Sequence, residues 1–169
     1  MAYRKSSFTL CAAAVLGLTA CGGGGDAVDP NAGSEMLSNG MTVKAQIEAR
    51  QDGFKAIGAE FKTINDQLRS GSPDIAAIQA AATKLPEVSA GIADWFPQGT
   101  GPESGVETEA LAIIWDEPED YAAKVNDFKA AIEALEIAAQ TGEVESVQAA
   151  AQATGGTCKA CHDKYRLDD

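Results

Sequence analysis

The sequence predicts an all-α protein, an antiparallel up-and-down bundle of four helices, and three observations carry that reading. Alanine is abundant and β-branched or aromatic runs are scarce, which favours helix over sheet. Apolar residues recur at alternating spacings of three and four along four stretches, the period of one buried helix face. Short breaks containing glycine or proline separate most of these stretches, as suits antiparallel neighbours. No twofold alternation runs long enough to argue a strand, and no internal repeat is visible.

Residues 1–20 read as an export signal. Tyr3-Arg4-Lys5 gives a positive start, and Phe8 to Ala20 is an apolar run of thirteen residues. As a helix at ~1.5 Å per residue, that run falls short of a bilayer core of ~30 Å. It ends in Leu18-Thr19-Ala20-Cys21, which resembles the bacterial lipoprotein box, where the cysteine takes a diacylglyceryl group and becomes the mature N-terminus. The lipidated Cys21 would anchor the protein at the periplasmic side of a bacterial membrane. Residues 21–40, opening with four glycines, read as a flexible polar tether. The folded domain is expected over 41–169.

The first helix carries Val43, Ile47, Phe54, Ile57, Phe61, Ile64 and Leu68 on one stripe. Arg50 fills the gap of seven between Ile47 and Phe54, so an arginine stands in the buried seam. Gly71-Ser72-Pro73 stops the helix. A second helix is expected over 74–96, with Ile75, Ile78, Ala82, Leu85, Val88 and Ile92 inward and a kink or division at Pro86. Residues 97–105 form a glycine- and proline-rich loop, and 107–115 suggest a short helical stretch. The third long helix follows Pro118 with Tyr121, Val125, Phe128, Ile132, Leu135 and Ala139. Thr141-Gly142 ends it. The last carries Val144, Val147, Ala151, Thr154, Cys158, Cys161 and Tyr165.

The chain of 169 residues has a net charge of −12, and loss of the leader's Arg4 and Lys5 takes it to −14. Such a surface repels the phosphate backbone, so nucleic acid is excluded as a partner. A basic docking partner is compatible with the charge, and so is simple solubility.

Four cysteines are present. Cys11 leaves with the leader and Cys21 is the lipidation site, so no pair remains that needs a structural disulfide. Cys158-Lys159-Ala160-Cys161-His162 is the CxxCH pattern of haem c attachment. On a helix the two sulfurs lie on one face. They can form thioethers to two vinyl groups at one porphyrin edge, and the next residue offers an imidazole to the iron. One covalent haem, with His162 as metal ligand, is therefore expected. Zinc would need about four ligands, and the chain has a single histidine and no further cysteine in the folded domain. A thioredoxin-like redox pair would need a βαβ surrounding that is absent from the pattern.

The run Cys-Lys-Ala-Cys-His-Asp-Lys-Tyr-Arg at the end of a fourth helix resembles the class II c-type cytochromes, the cytochrome c′ family, and the likeness spans roughly residues 42–167. Gly155 before the motif, Ile114-Trp115 with Tyr121 six residues on, and Arg50-Gln51 on the first helix fit the same pattern. The resemblance implies a role for Arg50 beside the haem propionates. An arginine in an apolar stripe needs an anionic partner in any case, and snorkelling or a carboxylate on a neighbouring helix remains open. It also places Arg166 on the proximal side near His162, one helical turn on. A plain cation at a helix C-terminus is the other reading of Arg166. Homodimerisation is implied by resemblance alone.

The same resemblance assigns the distal position to Phe54, four residues after Arg50. Low-spin members carry a methionine there, and high-spin members carry an apolar residue. Phe54 cannot ligate, and Met36, Met41 and Lys44 lie too far along the chain. Five-coordinate, high-spin iron that binds nitric oxide or carbon monoxide, or transfers electrons, is expected, and no enzyme activity. The alternative is an ordinary electron-transfer cytochrome with low-spin haem. A peroxidase is disfavoured because no distal histidine is available as acid or base.

Overall fold

The computed structural model describes residues 31–167. The leader, Cys21 and the first half of the expected tether lie outside the described residues. Four long helices dominate: α1 (Val43–Arg69), α2 (Ile75–Val88), α4 (Pro118–Thr141) and α5 (Val144–Tyr165), with a one-turn helix α3 (Ile113–Asp116) leading into α4. Three-residue 3₁₀ turns stand at Ile92–Asp94 and Pro102–Ser104. Among the described residues, the only β-type pairing is two isolated bridges, Met36 with Thr42 and Ala110 with Arg166.

The helix ends follow from local chemistry. The Thr42 hydroxyl accepts from the Ala45 N–H at 3.1 Å, and the Asp74 carboxylate from the Ala77 N–H at 3.1 Å. Each satisfies a donor that the first helical turn leaves free. Pro118 occupies the first turn of α4, where its missing N–H costs nothing. Gly142, at φ +74°, closes α4 in the left-handed conformation that glycine adopts without strain.

The apolar stripes meet in one core. Ile64, Ile78, Leu85, Leu135 and Val147 are all fully buried, each contributing on the order of 1.5–3 kcal/mol of transfer free energy. α1 lies along α2, α2 against α4, and α4 along α5, and the closing seam between α1 and α5 is the sparsest of the four.

Three expectations are corrected. Residues 31–40 do not behave as tether: they wind back on α1, with Val43 N–H donating to the Glu35 carbonyl and Lys44 N–H to that of Gly33, each at 2.9 Å. The second helix ends at Val88 rather than running to 96. Pro86 sits in its last turn. The Ser89 hydroxyl then folds back on the Leu85 carbonyl at 2.8 Å, and the chain turns away toward α1. Residues 107–111 are extended, not helical. Their backbone pairs with the end of the chain, Leu111 N–H to the Tyr165 carbonyl at 2.9 Å and Leu167 N–H to that of Glu109 at 2.8 Å.

Candidate functional site

Cys158 and Cys161 lie in the last two turns of α5, reduced and half-buried against the core. Burial pushes both thiols above their ordinary pKa. A nucleophilic redox pair carries the opposite shift. His162 is exposed at the ring surface. Partial desolvation, then the positive charge of Arg166, lowers its pKa, which favours the neutral imidazole that ligates metals. No three His, Cys, Asp or Glu side chains come together as a metal-holding group among the described residues.

A chain of aromatic contacts runs from α1 to α5. Phe54, on α1, meets Trp95 edge-on at 5.1 Å between ring centroids and Phe96 at 6.1 Å. Phe96 continues to Trp115 at 5.9 Å and Tyr121 at 5.3 Å, and Tyr121 to Tyr165 at 5.5 Å. Edge-to-face pairs of this kind set positive ring edges against negative faces. Trp95 reaches α1 because residue 53 is glycine: a Cβ there would fall within 2.6 and 2.9 Å of two indole ring atoms. The indole N–H of Trp115 holds the Phe96 carbonyl at 3.0 Å and that of Pro97 at 3.1 Å. A cleft of about 230 Å³ opens beside these rings, lined in part by Phe96, Ile114, Trp115, Tyr121 and Val125.

Arg50 is 2% exposed. It neither snorkels nor pairs with a carboxylate, which corrects that half of the expectation. Its Nη1 donates to Thr100 Oγ1 at 2.9 Å and its Nη2 to Thr108 Oγ1 at 2.6 Å. The guanidinium carbon lies 4.7 Å from the Phe96 ring centroid, a cation–π contact. Burial lowers its pKa to about 10, and it stays charged at neutral pH. Arg166 stands at the C-terminal end of α5, near His162. α5 ends at Tyr165, and Arg166 leaves the helix with extended backbone while its N–H still reaches the His162 carbonyl at 3.1 Å. Its Nε donates to Glu109 Oε2 at 2.6 Å. It is thus an ion-paired side chain at the end of α5, where its backbone also bridges to Ala110.

The residues fit a c-type haem. Two thiols share one half-buried face of α5, and the chain's single imidazole follows them. The least-closed seam of the bundle lies between α5 and α1, which carries Phe54. Phe54, Phe61, Trp95, Phe96, Trp115 and both cysteines are packed on the core yet left partly open, the surface that a flat apolar group would cover.

The family model for cytochrome c′ matches residues 45–166. The chain belongs to the cytochrome c′ family. A cytochrome c′ of Cereibacter sphaeroides is 35% identical over 123 residues, covering 72% of this chain and 82% of its own length. The crystal structure of cytochrome c′ from Thermochromatium tepidum aligns at TM-score 0.70 and 30% identity, over 76% of this chain and 98% of that one. The nitric oxide complex of a mutant cytochrome c prime from Alcaligenes xylosoxidans aligns at TM-score 0.68 and 27% identity, over 75% and 97%. As a cytochrome c′, the protein is a c-type haem protein on a four-helix bundle.

The CxxCH motif pointed to Cys158, Cys161 and His162, and the family resemblance to Arg50 and Phe54, both on the apolar stripe of the first helix. Both missed Gly53, Trp95, Phe96, Thr100, Thr108 and Glu109. Gly53 lies inside α1, and its role shows only through the indole packed on it. The other five lie in non-repetitive chain, where no period marks which side chains face inward.

Proposed function

We propose that this cytochrome c′ carries one haem, bound covalently through Cys158 and Cys161, with His162 as its single protein ligand. The remaining coordination position would be open to nitric oxide or carbon monoxide. The haem supplies an iron that binds a diatomic ligand or changes oxidation state. This chain's residues supply the rest: two thioether anchors, a neutral imidazole, and a wall that excludes water and large ligands. The observation that carries the reading is Phe54. It sits on α1 between Trp95 and Phe96, at the position the family uses for a ligating methionine or an apolar shield, and its ring has no atom that can ligate.

Other candidate ligands offer no competition. Met36 is 66% exposed and is tied into a bridge with Thr42, and Lys44 pairs with Glu48 at the surface. An apolar wall suits nitric oxide and carbon monoxide over dioxygen, which gains from a distal hydrogen-bond donor. The nitric oxide complex of the Alcaligenes relative supports the same ligand class. Arg50 has five N–H donors and gives two to threonines, which leaves donors for a haem propionate. Without a distal acid or base, the protein binds and exchanges rather than catalyses. The setting we propose is the bacterial periplasm, with the domain anchored by acylated Cys21 and able to pair as a homodimer. Sedimentation reports the pairing.

The test is the absorption spectrum of the ferrous protein before and after carbon monoxide. A five-coordinate, high-spin spectrum that shifts on adding the gas is expected. A low-spin spectrum that ignores carbon monoxide would replace this reading with that of a plain electron-transfer cytochrome.

A further inference from the structure

Arg50 joins three parts of the molecule that no helix joins. Its two threonine partners stand near opposite ends of the loop that follows Phe96, and each is tied into the loop's own backbone. Thr100 Oγ1 donates to the Pro97 carbonyl at 2.8 Å, and Ala110 N–H donates to Thr108 Oγ1 at 3.1 Å. The neighbouring Gln51 Nε2 reaches the Glu107 carbonyl at 3.3 Å. Consecutive residues of α1 therefore grip the loop at three points. The same guanidinium lies 4.7 Å from the Phe96 ring centroid, and Phe96 touches Phe54. Trp115 holds the Phe96 carbonyl from the other side.

We propose that Arg50 is a positioning residue for ligand entry: by clasping Thr100 and Thr108 it holds Phe96 against Phe54 and sets how readily the Phe54 ring yields to an incoming ligand. The proposal rests on the reading of Phe54 as the wall a small ligand must pass. The physical basis is the cost of letting go. A buried guanidinium that loses a hydroxyl partner cannot replace it with water without opening the site. Motion of the loop, of Phe96 and of Phe54 is therefore coupled. A wall of the same bulk on a loose loop would open more often.

The experiment compares Thr100→Val with Thr108→Val, which together remove both acceptors at nearly constant volume, against Thr100→Ser with Thr108→Ser, which keeps them. Carbon monoxide association with the ferrous holoprotein is followed by flash photolysis. The valine pair removes two hydrogen bonds to Arg50 and is expected to speed association about tenfold or more, the order that a single lost bond already sets, and the serine pair to match the unaltered protein. In a Phe54→Ala background the difference should vanish, because the wall is gone. Unchanged association in the valine pair would overturn the proposal, and so would an equal acceleration without Phe54. A fluorine label on the Phe54 ring gives a second readout wherever the ferrous iron is low-spin and diamagnetic, as in the carbon monoxide complex or in a protein whose sixth position is already filled. Its exchange should quicken in the valine pair. If the unaltered protein refuses carbon monoxide, the gas-binding reading fails by itself, and an unmoved fluorine signal still decides against the clasp. Thr108→Val alone, at the more open end of the loop, serves if the pair does not fold, with an increase in the same direction expected and no change counting against the proposal.

Discussion

Phe54 and Gly53 are consecutive on α1 and divide one task. Phe54 supplies bulk, and Gly53 supplies the gap that admits Trp95 against it. Phe54→Ala should raise the carbon monoxide association rate of the ferrous protein about tenfold or more, the equivalent of ~1.4 kcal/mol of barrier, as measured by flash photolysis. Gly53→Ala acts through crowding. A new Cβ would meet indole ring atoms at 2.6 and 2.9 Å, and the indole cannot give way easily because Gly91 backs it as closely, with a Cβ there 2.9 Å from its Nε1. Overpacking of this kind costs about 1–3 kcal/mol, so the denaturant midpoint of Gly53→Ala should fall, while a Phe54→Leu control should move it less. At the other side of the site, His162→Ala should leave the thioether links in place but remove the nitrogen ligand. The haem would then stay with the polypeptide in acid acetone while its spectrum changes.

At the scale of elements, the corner where α4 begins and α5 ends is held by charge. Asp120 accepts from the Tyr165 hydroxyl and from Lys164 Nζ, the latter at 2.9 Å, and Lys164 also pairs with Glu117. The Tyr165 hydrogen bond first, and Lys164 second, hold the Asp120 carboxyl below its usual pKa. The pKa of Tyr165 is pushed up to about 12, by burial first and then by the same bond. A carboxylate with a depressed folded-state pKa contributes stability that is complete above its unfolded pKa of about 3.9 and is lost as pH falls through the folded value. Acid titration of the unfolding midpoint should therefore show a component below about pH 4 that Asp120→Asn removes. This corner was only partly legible in the sequence. The alternating stripe placed Tyr121 and Tyr165 inward, as found, but Asp120 sits between two helices whose relative rotation the stripe does not specify. The helix expected at 107–115 forms only from Ile113 on, for a related reason. Its residues suit a helix locally, yet backbone pairing with residues 165–167 satisfies the same groups, and that pairing exists only once α5 has docked.

For the whole molecule, the excess of acidic residues and the apolar seam around α1 and α5 set the behaviour. The cofactor would act as part of the core. Cys158→Ala with Cys161→Ala should yield protein whose haem is extracted by acid acetone and whose thermal midpoint falls with it, because the partly open faces of Phe54, Trp95 and Phe96 lose their cover. No described helix is long and apolar enough to cross a membrane. The proposed anchor is an acylated Cys21, and Cys21→Ser should shift the protein from the membrane fraction to the soluble one and abolish labelling by palmitate. Failure of the unaltered protein to take up labelled palmitate would rule out the anchor.

The sequence by itself determined the bundle and the CxxCH motif, because both are written in local spacing. A three-four apolar period selects a helix face without reference to any partner, and CxxCH places two thiols and an imidazole on adjacent positions of one helix. It also determined that Phe54 cannot ligate, since that follows from its chemistry alone. Only the tertiary structure decided what surrounds these residues. Arg50 reads in sequence as a buried cation in want of an anion, and in the fold it is met by two threonines fifty and fifty-eight residues away and by the face of Phe96. Thr100 and Thr108 lie in a loop with no repeating dihedrals, so no period marks which of their side chains turn inward. Their positions depend on where α2 stops, on the glycine that seats Trp95, and on the pairing of residues 109–111 with the chain's end. Each of these is a contact between segments far apart in sequence.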